Sequence, residues 1–213
     1  MAVLISSLCR RVLVKSHDSS PKPLFAFFRS LIGLCGKLFL GVLLFSLAPS
    51  VLHAQTKEYQ VKAAFLYNFA QFVVWPETAS TNADEPFRIG VLGDNPFGKD
   101  LVETVRGETI HGRPMTIQES RRAESLTNCQ IVFISNVEAS HLDEVFSKLG
   151  SKPILTVSEI PGFAQRGGVI NFYREGSKVR FEINPDAAEK NGLKVSSELL
   201  TLGKIIHSET APK

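Results

Sequence analysis

The chain has 213 residues, with 24 Lys and Arg against 21 Asp and Glu, a formal charge of +3, and 44% hydrophobic residues. The basic excess sits at the front: the first 54 residues hold Arg10, Arg11, Lys15, Lys22, Arg29 and Lys37 against Asp18 alone, leaving 18 basic and 20 acidic residues behind them. The remainder is slightly acidic, so charge gives no support to a nucleic-acid partner.

Lys37 is followed by LFLGVLLFSLA at 38–48, then Pro49, Ser50 and Ala54. A positive flank, a short apolar run and a small-residue exit read as a secretory signal with cleavage after Ala54, although Leu52 stands where a small residue is usual. The run between Lys37 and Pro49 is too short for a membrane anchor. Leu34 before Cys35 does not suit lipidation. The expected organisation is a leader over 1–54 and one exported domain over 55–213, long enough for its own core.

EYQVKAAFLYNFAQFVVWP, residues 58–76, reads as a helix that is apolar on several sides, with Val61, Phe65, Phe69 and Phe72 on one stripe. It is too short and too interrupted by Asn68 and Gln71 to span a bilayer. Phe65, Phe69 and Phe72 therefore belong either to the core or to an interface with a second protomer. TASTNADE, 78–85, is a polar connection.

FRIGVLG, 87–93, predicts a strand, and DNPFGKDLVETV a helix capped by Asp94 or Asn95 with Pro96 in its first turn. MTIQE is a second strand. QIVFIS, 130–135, is continuously apolar, as in a central strand buried on both faces. Residues 137–149 have helical period and end at Gly150; KPILTVSE, 152–159, is a fourth strand. Strands alternating with helices predict an α/β single layered domain, with a mostly parallel central sheet flanked by helices.

GGVINFYREGSKVRFEIN, 167–184, predicts a C-terminal antiparallel hairpin turning at Glu175-Gly176, which pairs Phe172 with Val179 and Ile170 with Phe181. The opposite face takes Asn171, Tyr173, Val169, Lys178, Arg180 and Glu182. Asn184-Pro185 opens a short helix that stops at Asn191-Gly192. A short extended piece and a last helix follow, with Leu199, Leu200, Leu202, Ile205 and Ile206 assigned to the core.

Catalytic patterns do not emerge. His111, His141 and His207 lack metal-type spacing, and no serine lies in a nucleophile elbow. The only cysteine after the leader is Cys129, which has no internal disulfide partner and reads as a buried, inert thiol, with an intermolecular disulfide or a redox sensor as the functional alternative. GVLGDNPFG has a strand-to-helix position from which backbone amides can hold an anion, but it matches neither the dinucleotide nor the phosphate-loop pattern. A tight turn is the simpler account, with a small-ligand loop of Asp94, Phe97 and Arg113 as the functional one. PGFAQRGG either shapes the approach to the hairpin or presents Phe163 and Arg166 to a partner. With Val169 and Tyr173 these form the candidate partner contact.

In order, EYQVKAAFLYNFAQFVVWP, FRIGVLGDNPFG, IHGRP, CQIVFIS, ILTVSEIPGFAQRGGVINF and VRFEINPDAAEKNGLKVSSELLTL resemble the YfiR-like (DUF4154) family, from about Glu58 to Leu202. The resemblance implies a periplasmic α/β regulator, often dimeric, with no active site and no cofactor. It implies binding to the periplasmic sensory part of an inner-membrane diguanylate cyclase, which restrains cyclic di-GMP synthesis and thereby biofilm formation. Some members carry paired cysteines; with Cys129 alone, redox control by an internal disulfide does not carry over. The alternative reading is a periplasmic small-ligand sensor or transport-accessory module.

Overall fold

The computed structural model describes residues 49–76 and 85–208. The apolar run at 38–48 and most of the polar connection at 78–85 lie outside the described residues. Helix α1, Pro49–Phe72, passes through Ala54 and leads into a two-residue strand β1, Val73–Val74. The helix thus ends before the VVWP segment, because Val73 and Val74 pair antiparallel with Val195 and Lys194 of β9, Lys194–Val195. β-branched valines favour that extended state over another helical turn.

The main sheet contains β2 (Phe87–Leu92), β3 (Thr109–Ile110), β4 (Arg113–Ser120), β5 (Ile131–Ile134), β6 (Leu155–Ser158), β7 (Ile170–Glu175), β8 (Lys178–Ile183) and β10 (Lys204–Ile205). Their order is β10-β8-β7-β6-β5-β2-β4-β3. Only β3 with β4 and β7 with β8 run antiparallel, so the sheet is mostly parallel, as expected. IHGRP is the β3–β4 hairpin. His111 and Gly112 occupy its turn with φ 51° and 81°, the left-handed pair that a two-residue turn between twisted strands needs.

Strand alternation sorts the core into two faces. Ile89, Val91, Ile131, Phe133, Leu155, Val157, Ile170 and Phe172 pack beneath α1, together with residues of α2 (Lys99–Val105), α4 (Pro185–Lys190) and α5 (Ser197–Leu202). Leu92, Val132 and Ile134 face the opposite way, against α3 (Leu142–Leu149), Leu126 and Phe163. On that second face the buried side chains become polar toward the hairpin: Thr156, Ser158, Asn171 and Glu182.

Local signals explain both agreements and differences. Asn184 caps α4 by accepting from the Ala187 amide at 2.9 Å. Helix α2 begins four residues later than Asn95, whose side chain accepts from the Phe97 amide at 2.8 Å while Gly98 takes φ 54°. That local turn displaces the expected cap. The hairpin register is shifted by two: Phe172 pairs with Phe181 and Ile170 with Ile183, around Gly176-Ser177. The shift places Gly176, at φ 61°, at the first turn position, where a left-handed φ is required. It preserves the apolar face, but Val169 joins the core instead of the polar face. Leu199 is core, whereas Leu202 is exposed because α5 is only six residues long and buries one side, and Ile205 is exposed in the edge strand β10.

Cys129 is buried and free. Burial raises its thiol to about 11, which keeps it protonated and unreactive near neutral pH.

On α1, Phe69 is 0% exposed and Phe72 is 36% exposed. Phe69 lies 5.8 Å from Phe172 and 5.2 Å from Phe181 between ring centroids. Replacing Phe69 by Ala is expected to cost about 3–4 kcal/mol, and the same change at Phe72 about 1 kcal/mol or less. Urea unfolding of both variants checks this; equal losses would contradict the assigned packing.

Candidate functional site

A lysine in the buried stripe of α1 organises the most distinctive cluster in the described residues. Lys62 is 3% exposed and lies between the apolar positions Val61 and Ala63. Its ammonium contacts Glu58 one helical turn earlier, at 2.6 Å, and also the carboxylate of Glu159. Glu159 directly follows β6, at the carboxyl end of the parallel strands. Its Oε1 also accepts from the Tyr59 hydroxyl at 2.9 Å and from the Asn136 amide at 3.0 Å. Asn136 follows β5, so two neighbouring strand ends and α1 meet at this carboxylate.

The electrostatics are closed. Lys62 lies 4.6 Å from the Tyr59 ring centre, a cation–π distance. Burial, then the hydrogen bond to Glu159, pushes the Tyr59 phenol well above its ordinary value. Glu58 is shared with Arg174 of β7 at 3.3 Å. A carboxylate held by a lysine, a phenol and an amide is a neutralised latch. Both oxygens of Glu159 are engaged, Oε1 by Tyr59 and Asn136 and Oε2 by Lys62. Among the described residues no group of His, Cys, Asp and Glu is arranged to hold a metal ion.

The expected small-ligand loop does not assemble. Asp94 is exposed and pairs with Arg121 at 2.7 Å, while Phe97 is in the core. Arg113 lies at the start of β4, beside the start of β2, and donates to the carbonyls of Glu85 and Pro86. It is therefore at the opposite end of the strands from Asp94. The loop amides are also committed: Gly93 donates to the Ser120 carbonyl and Asp94 to Ser135 Oγ. Gly93 has φ 86°, and an added Cβ would come within 2.5 Å of Ser135 Oγ, so the glycine serves a tight turn.

The candidate partner contact divides. Phe163 and Val169 are fully buried, and Phe163 covers Gly168 so closely that no Cβ fits there. They are corrected to core. Arg166 is exposed and donates to the Ala139 carbonyl at 3.1 Å, and Tyr173 is half-buried on the hairpin. Of the helix set, Phe69 is core, Phe65 is half-buried and Phe72 is partly exposed.

The latch was missed in the sequence because Lys62 and Glu159 are 97 residues apart. A signal for half of it was present: Lys62 shares a helical stripe with Leu66, Phe69 and Val73, all buried.

Residues 59–204 match the family model described as YfiR/HmsC-like. The chain belongs to this family. Among the described residues no helix is long and apolar enough to cross a membrane.

Lys62→Met retains the apolar stem but leaves Glu58 and Glu159 without their common cation. The expected loss is about 3 kcal/mol of stability, with a smaller loss for the double variant Lys62→Met/Glu159→Gln. Urea unfolding of the single and double variants measures the coupling. A loss below about 0.5 kcal/mol for Lys62→Met would show that the latch holds nothing.

Proposed function

We propose that this YfiR/HmsC-like protein is an exported negative regulator: residues 1–54 direct it to the periplasm, and residues 55–213 bind the periplasmic sensory part of an inner-membrane diguanylate cyclase. Bound, it restrains cyclic di-GMP synthesis. The single observation that carries the reading is the family match over 59–204. The closed state of the latch supports a regulatory over a catalytic role, since its carboxylates are already engaged by Lys62, Tyr59 and Asn136.

Restraint in this scheme is a population shift. The protein binds the inactive conformation of the sensor more tightly than the active one, and only that difference in affinity lowers cyclase activity. The regulator needs no turnover and no cofactor. Homodimer formation belongs to the same proposal, supported by the partly exposed Phe72 at the end of α1 and the exposed Val74 of β1. Sedimentation of the exported protein should give about twice the monomer mass; a monomer at micromolar concentration would remove that part.

Deleting the gene should raise cellular cyclic di-GMP. Complementation with the full chain should reverse the rise, and a version lacking residues 1–54 should not. An unchanged level on deletion, or full restoration by the leaderless version, would overturn the reading.

A further inference from the structure

We propose that the groove between α1 and the β7–β8 hairpin is the docking site for an acidic, amphipathic segment of the partner's periplasmic part. This rests on the regulatory reading above and adds the place and chemistry of the contact. The groove encloses about 520 Å³. Its floor is apolar: Val61 and Phe65 from the helix, Val179 from the hairpin. Val61 is 44% exposed, a large fraction for a valine at the base of a concave surface. Phe65 is held rigidly from behind, 5.3 Å from Phe181 and 5.9 Å from Phe69 between ring centres.

The rim has the opposite character. Lys57, Arg174, Lys178 and Arg180 line it, against the single carboxylate of Glu58. Glu58 is already shared between Lys62 and Arg174. Arg180 pairs with Glu175 at 3.2 Å, and Lys57 and Lys178 have no ion-pair partner among the described residues. The chain after residue 54 has more acidic than basic residues, so this is a local concentration of positive charge against the overall balance.

Charge and shape together select the occupant. Carboxylates on an approaching segment meet the cationic rim, while its leucine or phenylalanine side chains reach the floor. The volume suits a few side chains. Apolar and cationic side chains line one concave groove, which fits a segment with projecting side chains better than a flat layer of lipid headgroups. Rim charges of this kind speed association and make it salt-dependent, and the buried apolar contact slows release.

The test uses the full chain purified after export and a synthetic amphipathic peptide of about twelve residues, with glutamates on one face and leucines on the other. Lys178→Glu/Arg180→Glu should weaken peptide binding by about tenfold or more, whereas the distant exposed pair Arg106→Glu/Lys152→Glu should leave it unchanged. A peptide with lysine for glutamate should not bind. Unaltered binding to the groove variant, equal binding of the lysine peptide, or binding of phosphatidylglycerol vesicles in place of the acidic peptide would overturn the proposal. The deletion strain separates the two readings. If deletion raises cyclic di-GMP and the groove variant, exported at the normal level, fully lowers it, the groove assignment is wrong and the regulatory role stands. Failure of that variant to lower it supports the groove. If deletion changes nothing, the regulatory reading fails, and the peptide measurement alone decides whether the groove takes an acidic segment.

Discussion

The fold depends on one buried charge. Lys62 occupies a position on α1 that points into the protein, and an ammonium there needs compensating carboxylates. Glu58 provides one from the same helix and Glu159 the other from the end of β6. Together they fix the rotation and height of α1 over the sheet. With Lys62 at the strand ends, Leu66 and Phe69 fall one and two turns further along the buried side of α1, and the buried Val73 opens β1. A well-packed hydrophobic replacement can match a buried ion pair in stability, so the value of this one lies in the register it imposes.

The next layer follows from that register. Phe69 meets Phe172 and Phe181, and Phe65 lies alongside at 6.0 Å from Phe172. Four phenylalanines thus bind the first helix to the hairpin, two segments about a hundred residues apart in the chain. Non-local packing of this kind joins the ends of the domain into one unit. It also leaves a seam on the outer side, where Val61 and Val179 remain partly uncovered and the hairpin's cations stand around them.

Much of this architecture was legible in the sequence because its signals are local. The apolar run IVFI, the Asn184-Pro185 cap and the alternation in the hairpin each encode their own structure over a few residues. Errors arose where a second local rule or a distant partner intervened. The hairpin register turned on which residue takes the left-handed φ, and Gly176 decides that one position later than expected. Asn95 forms its own turn with Phe97 and so delays α2. Phe163, placed in a Gly-rich loop, looks exposed in sequence but fills the second core, where Gly168 makes room for its ring. The latch required a contact across 97 residues that no window of sequence contains. The groove likewise combines α1 with the hairpin, so its two halves appear in sequence only as unremarkable fragments.

Open parallel sheets ordinarily hold ligands in the crevice beyond the carboxyl ends of their strands. Here the loops at that end bond to the protein itself. The loop after β2 donates its amides to Ser120 and Ser135, and the residue after β6 is locked to α1 through Lys62 and Tyr59. Loops that frame ligands in such sheets are here tied to neighbouring loops and to α1. A groove whose floor is fixed by packed rings and whose helix is pinned by an ion pair loses little conformational entropy when a segment docks. In the regulatory scheme proposed above, such pre-organisation would favour the one conformation of a partner that fits the surface. The buried lysine that holds α1 therefore also places Val61 and Phe65, its neighbours on the helix, at the seam.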